Sequence, residues 1–167
     1  MLPTARAAVT AAALLVAAPL LPGVGVATAE GSAVSMPFSE KMRRCDFTQI
    51  KYVGGNGYGR PSAQLRVQGG EVVAEVEFFT GVPNTPYDLR LIQLPRSSAA
   101  GCGAGAPGVA ATTLFTDGVG TAHATVRGPL MPGATGAWLD LTRPGVFSQQ
   151  PAEFYSTDLI ADLKSAA

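Results

Sequence analysis

Ala63-Gln64-Leu65-Arg66-Val67-Gln68-Gly69-Gly70-Glu71-Val72-Val73-Ala74-Glu75-Val76-Glu77-Phe78 decides the fold class of this chain. Ala63, Leu65 and Val67 alternate with Gln64, Arg66 and Gln68, and Val72, Ala74, Val76 and Phe78 alternate with Glu71, Glu75 and Glu77. Side chains of a strand point to opposite faces in turn, so each run has one apolar and one wet face. Two such runs joined by two glycines form a β-hairpin. A two-residue turn pairs Gln68 with Glu71 and Arg66 with Val73, which sets Arg66 diagonally between Glu71 and Glu75 on the outer face.

Outward from the hairpin, the same short runs recur between Gly, Pro and Asn, and no stretch carries a helical period. Upstream, Phe47–Val53 is a strand candidate with Thr48, Ile50 and Tyr52 on one face, followed by the flexible stretch Gly54–Gly59. Downstream, Val82–Pro86 is a turn, and Tyr87–Leu94 is a strand with Leu89 and Leu91 on the face of Tyr87. Ser97–Gly108 is a long loop of small residues. Val109–Phe115, Thr121–Val126 and Ala137–Leu141 are further strands. Phe154–Leu163 closes the chain, with Tyr155, Leu159, Ala161 and Leu163 facing inward. Seven or eight short strands in one domain predict an all-β, antiparallel β-sandwich.

The first 29 residues concern address. Arg6 precedes an apolar run from Ala7 to Leu21, and Ala27-Thr28-Ala29 offers small residues to a signal peptidase. This is the layout of a secretory signal, with cleavage expected after Ala29. The run is too short and too broken by Pro and Gly to be a comfortable membrane span. No Cys follows it for lipid attachment, and Arg43-Arg44 lies on the wrong side of it for twin-Arg export. The expected protein is therefore secreted or held in the envelope, without stable membrane insertion. Its domain plan is a signal at 1–29, a flexible arm at 30–44 and one sandwich at 45–167.

Removing 29 of 167 residues leaves 138, enough for one domain with a core. Without Arg6 there are 11 basic and 12 acidic residues, a net charge of about −1. Lys41, Arg43 and Arg44 form the one basic cluster, read as a solvated leader. Nucleic acid is excluded as a partner, because phosphate binding needs a concentrated positive surface. Two cysteines, Cys45 and Cys102, form an isolated pair that reads as a disulfide in an oxidising compartment. Closing that loop is worth about 4 kcal/mol on chain-entropy grounds.

The segment Pro83-Asn84-Thr85-Pro86-Tyr87-Asp88-Leu89-Arg90-Leu91 resembles the Pro-x-Thr-x-Tyr turn and strand of fibronectin type III domains. The resemblance implies an Ig-like sandwich and a tyrosine corner, in which the Tyr87 hydroxyl bonds back to the corner backbone. Nine arginines against three lysines, with abundant Ala, Gly and Pro, resemble high-GC bacterial composition, such as that of an actinobacterium. The whole chain resembles small secreted actinobacterial β proteins of unassigned activity.

Chemistry is sparse. His123 is the one histidine, on the outer face of its strand; a triad would pair it with Ser148 or Ser156, and no Gly-x-Ser-x-Gly elbow is present. Gly103–Gly108 matches a dinucleotide fingerprint in letters, but a β run follows it where a helix is required. Glu75 and Glu77 share a face about 7 Å apart, which reads as a solvated sheet surface rather than a glycosidase pair. Asp117, Asp140, Asp158 and Asp162 lack the spacing of a calcium loop. No catalytic residue, metal ligand or cofactor is expected. A sandwich Trp such as Trp138 is more often a core or inter-sheet filler than a binding platform. Trp138 and Phe79 are nonetheless out of phase with their strands' apolar faces, and with Tyr58 they are the candidate partner-binding patch.

The function expected from these residues is that of a monomeric, non-enzymatic binding module for an envelope or extracellular protein or a wall component. A carrier of a small apolar ligand is the first alternative. A small hydrolase using His123 and nearby carboxylates is the second.

Overall fold

The computed structural model describes residues 32–52, 57–146 and 150–166. The signal segment and its cleavage point after Ala29 lie outside these residues, as do Val53, Phe147 and Ser148. Nine strands are described: β1 (Val34–Ser39), β2 (Arg60–Gln68), β3 (Glu71–Phe79), β4 (Pro86–Leu94), β5 (Val109–Phe115), β6 (Ala122–Pro129), β7 (Gly136–Arg143), β8 (Glu153–Thr157) and β9 (Ala161–Asp162). No helix occurs among the described residues.

The predicted hairpin forms in the predicted register. Gln68 faces Glu71, Arg66 faces Val73, and Arg66 reaches Glu75 at 2.9 Å. Gly69 and Gly70 take φ of 60° and 81°, the left-handed pair that a type I′ turn demands and that only glycine adopts freely.

All pairings are antiparallel, in the order β5-β4-β7-β8-β1-β2-β3-β6, with β9 also on β7. β1 bends the path in two. Its Val34–Pro37 pairs with β2, and Phe38–Ser39 pairs with β8. The two layers face each other across one core that includes Met36, Leu65, Val76, Phe78, Tyr87, Leu91, Leu114, Leu139, Leu141 and Tyr155. The far ends of the path nearly close. A Cβ on Gly128 of β6 would stand 2.9 Å from the Cβ of Ala110 in β5. The buried Gln93 amide clasps the gap, donating to the Pro129 carbonyl and accepting from the Met131 N–H, each at 2.8 Å. The result is nearly barrel-like.

Three expectations are corrected. Residues 30–44 are not simply a flexible arm: Val34–Ser39 is the strand shared by both layers, with Met36 buried in the core. Phe47–Val53 is not a strand within its described part. Residues 42–50 fold on themselves, with Arg44 N–H to Thr48 O and Ile50 N–H to Met42 O at 2.8 Å, and Phe47 at φ 73° in the bend. Alternation here reflects a strap lying on a sheet rather than a strand within one. Finally, Phe154–Leu163 is broken. Ser156 faces Asp140 and Ala161 faces Ala137, so four intervening residues oppose two on β7. The bulge swings Leu159 out to 37% exposure.

Candidate cleft on the outer face of the β5-β4-β7-β8 layer

Strand alternation fixes three rows of outward side chains across this layer. Thr113, Asp88, Thr142 and Phe154 form the first, and Ala111, Arg90, Asp140 and Ser156 the second. Val109, Ile92 and Trp138 form the third. A sheet face of this kind normally meets water. Here the strap of residues 41–52 and the loop of residues 97–108 lie over it, joined by the Cys45–Cys102 disulfide with Cα atoms 5.5 Å apart.

The third row is thereby buried. Phe47, Cys102 and Val109 pack on Ile92, Leu94 and Trp138, and Phe47 meets the Trp138 ring edge-on at 5.5 Å. Trp138 is 1% exposed, with its Nε1 lacking a partner among the described residues. Trp138 is out of phase with the central core, as its sequence position implies, but it belongs to a second core and not to a surface patch. Phe79 and Tyr58 are exposed on the other layer, where Phe79 faces Arg60 and the Tyr58 carbonyl accepts from Thr80. The expected patch of three aromatics is therefore divided, and only Phe79 and Tyr58 remain at the surface.

The strap is fastened at several points. Lys41 pairs with Asp158 at 2.7 Å. Arg43 donates to the Ser156 hydroxyl and to the Phe47 carbonyl, both at 3.0 Å, and its guanidinium stacks on the Phe47 ring at 3.8 Å. The basic cluster is thus no free leader: two of its three members hold the strap. Tyr52 meets Phe154 edge-on, covering the end of the first row.

Among the described residues, what stays open is a two-lobed cleft over the first two rows. One lobe of about 460 Å³ runs from Asp88, Thr113 and Thr142 to Gly103 and Ala104. The other, of about 320 Å³, runs toward Met42, Arg43 and Pro151. Asp88, Arg90 and Thr142 line both. Arg90 pairs with Asp140 and also donates to the Cys102 carbonyl at 3.4 Å. Burial pushes the Asp140 carboxyl above the usual carboxylate range, and the Arg90 guanidinium opposes that rise. The cleft is therefore polar and mixed in charge, with a neutralised ion pair at its back.

A second polar cluster is internal. The Glu153 carboxylate accepts from the Tyr87 hydroxyl at 2.8 Å, from the Tyr155 hydroxyl at 3.3 Å and from Arg143 at 3.0 Å. The two hydroxyls in turn accept the N–H groups of Val82 and Gly59, each at 3.0 Å. Tyr87 thus bonds to backbone at the turn before its own strand. A Cβ on Gly57 would fall 1.8 Å from the Tyr155 oxygen, so this approach requires glycine. Glu153 stands two residues before the inward Tyr155 on the same face of β8, and that spacing is the one signal of it in the sequence.

Burial pushes the Tyr87 hydroxyl up to about 12, against the Val82 N–H, and Glu153 adds to the rise; burial also raises Tyr155. A raised native pKa favours folding below the unfolded value near 10 and loses that contribution as pH climbs through the native value. Stability is therefore expected to fall between about pH 10 and pH 12. Urea midpoints measured across that range should drop, and a Tyr87→Phe protein should show a shallower drop. A flat profile in the parent protein would refute the assignment.

The remaining candidates are placed as follows. His123 is exposed beside a shallow groove of about 150 Å³ with Ser62, Glu75 and Glu77. In register Glu77 stands between Ser62 and His123, so serine and imidazole are about two strand spacings, roughly 10 Å, apart. A triad needs the imidazole in the middle. Ser156 is occupied by Arg43 and the Lys41 carbonyl on the opposite layer. Glu75 is held by Arg66, which lowers its carboxyl. Asp117 accepts from Val119 and Thr121, and Asp162 from Lys164, as turn caps. Among the described residues no group of three His, Cys, Asp or Glu side chains could hold a metal ion.

No family model, curated protein or solved structure matches this chain.

Proposed function

We propose that the chain is a secreted, non-enzymatic binding module of the cell envelope or extracellular medium, and that it binds its partner in the cleft over Asp88, Arg90 and Thr142. The scaffold is an Ig-like sandwich, with β1 shared by both layers and Tyr87 as the corner tyrosine. The disulfide suits an oxidising compartment. The observation that carries the proposal is the cleft itself. Two chain segments, covalently joined, wall a sheet face that would otherwise be flat, and its floor carries polar groups of both signs. The carrier alternative gains no support, because large side chains such as Phe78, Tyr87 and Leu139 fill the space between the layers.

Co-sedimentation with insoluble cell wall tests this reading. Thr113 is exposed at the cleft floor, so Thr113→Trp fills the cleft without entering the core. The parent protein should sediment, and Thr113→Trp should reduce binding at least about tenfold, a modest interface effect. Unchanged binding by Thr113→Trp with loss in Phe79→Ala or Tyr58→Ala would move the site to the other layer and overturn the proposal.

A further inference from the structure

The charge arrangement of the cleft points to one class of ligand group. We infer that the cleft receives a primary ammonium group, held by the Asp88 carboxylate between the Thr113 and Thr142 hydroxyls; this rests on the cleft being the binding site.

Among the described residues, the two cations that line the cleft, Arg90 and Arg43, already have partners, and so does Arg96 at the foot of the loop. Arg90 is paired with Asp140, and Arg43 is fastened to Ser156 and the Phe47 carbonyl beside the Lys41–Asp158 pair. Arg96 is spent on the carbonyls of Gly101 and Pro107. Asp88 is different. It is exposed and lines both lobes, and its carboxylate makes no ion pair or hydrogen bond with any described residue. The carboxylate without a countercharge is therefore at the centre of the floor.

Its neighbours complete the site. Thr113 and Thr142 are its register partners on either side. Cross-strand neighbours on one face have Cβ atoms about 5 Å apart, so both hydroxyls reach a group seated over Asp88. An ammonium has three N–H donors and no acceptor; one carboxylate and two hydroxyls supply three acceptors. An anion finds less there, because Arg90 is already paired with Asp140 and the Asp88 carboxylate opposes it. It also disfavours a quaternary ammonium, which cannot donate to the hydroxyls and is recognised by aromatic faces. Phe154, the one aromatic among the described residues that line either lobe, is 3% exposed and meets Tyr52 edge-on. Gly103 and Ala104 leave the rim low, so the amine can arrive on a chain such as a lysine side chain.

The test is an NMR titration of the full exported protein, labelled with 15N, using the capped peptide acetyl-Gly-Lys-Gly-amide. The same peptide acetylated on the lysine amine is the comparison. The expected result is shifts at Asp88, Thr113 and Thr142, with affinity reduced at least about tenfold by acetylation, by Asp88→Asn and by raised salt. The Asp88 carboxylate bonds to no described residue, so Asp88→Asn should keep the parent Trp138 emission, which verifies its fold. Equal binding of both peptides in the cleft would overturn the ammonium inference and leave the cleft reading standing. So would silence toward both peptides while wall binding still depends on Thr113. Silence together with wall binding that ignores Thr113→Trp would overturn both.

Discussion

A Glu153→Ala protein is expected to lose about 3–5 kcal/mol of folding stability, the range for breaking a buried charged pair from one side. Glu153 is 5% exposed and accepts from three side chains. Alanine would strand the Arg143 guanidinium, whose Nε already lacks a partner among the described residues, and leave both tyrosine hydroxyls without their acceptor. It would also open a cavity between the layers. Glu153→Gln keeps one acceptor oxygen and should cost less. Urea unfolding provides the measurement, and a double-mutant cycle with Tyr155→Phe should show a coupling of about 0.5–3 kcal/mol, as for residues in one network. A loss under about 1 kcal/mol for Glu153→Ala would mean that water replaces the carboxylate and that the cluster does not hold the layers.

Removing the disulfide, by Cys45→Ser with Cys102→Ser, is expected to cost about 2–4 kcal/mol and to have a local signature. The loop it closes spans 57 positions. Without the bond, Phe47 at φ 73° keeps its unfavourable backbone while losing the tether that holds it over Trp138. Trp138 is the one tryptophan in the sequence, so its emission reports on the strap directly. Red-shifted emission and readier acrylamide quenching are expected, with the far-ultraviolet circular dichroism of the sheets retained. A folded double variant with unchanged emission would show that the Lys41–Asp158 pair and the ring contacts hold the strap unaided.

The hairpin, its register and most strands were legible because side-chain alternation and Gly-Gly punctuation are local signals. The disulfide was legible because two cysteines leave one pairing. Less visible was anything that depends on layers folding over one another. Met36 carries no more local signal than its neighbours, and only distant partners on β2 and β8 make its segment a strand. Trp138 shows the same limit from the other side. Its phase along β7 points outward from the main core, yet nothing local in the sequence says that Phe47 and Cys102 roof it. The cleft assembles Asp88, Thr113 and Thr142 from three strands, and no spacing along the chain brings them together.

The position of β1 carries a consequence for the order of assembly. It leaves the ribosome well ahead of β8, yet Phe38 needs Thr157 as its partner. A chain halted before Glu153 presents β1 and β7 with bare edges, the templates on which strands of other molecules stack. The interior is committed only when the final stretch is in hand, and there Val67 donates to the Ala166 carbonyl. Until those last residues join, both edges stay open to partners other than their own.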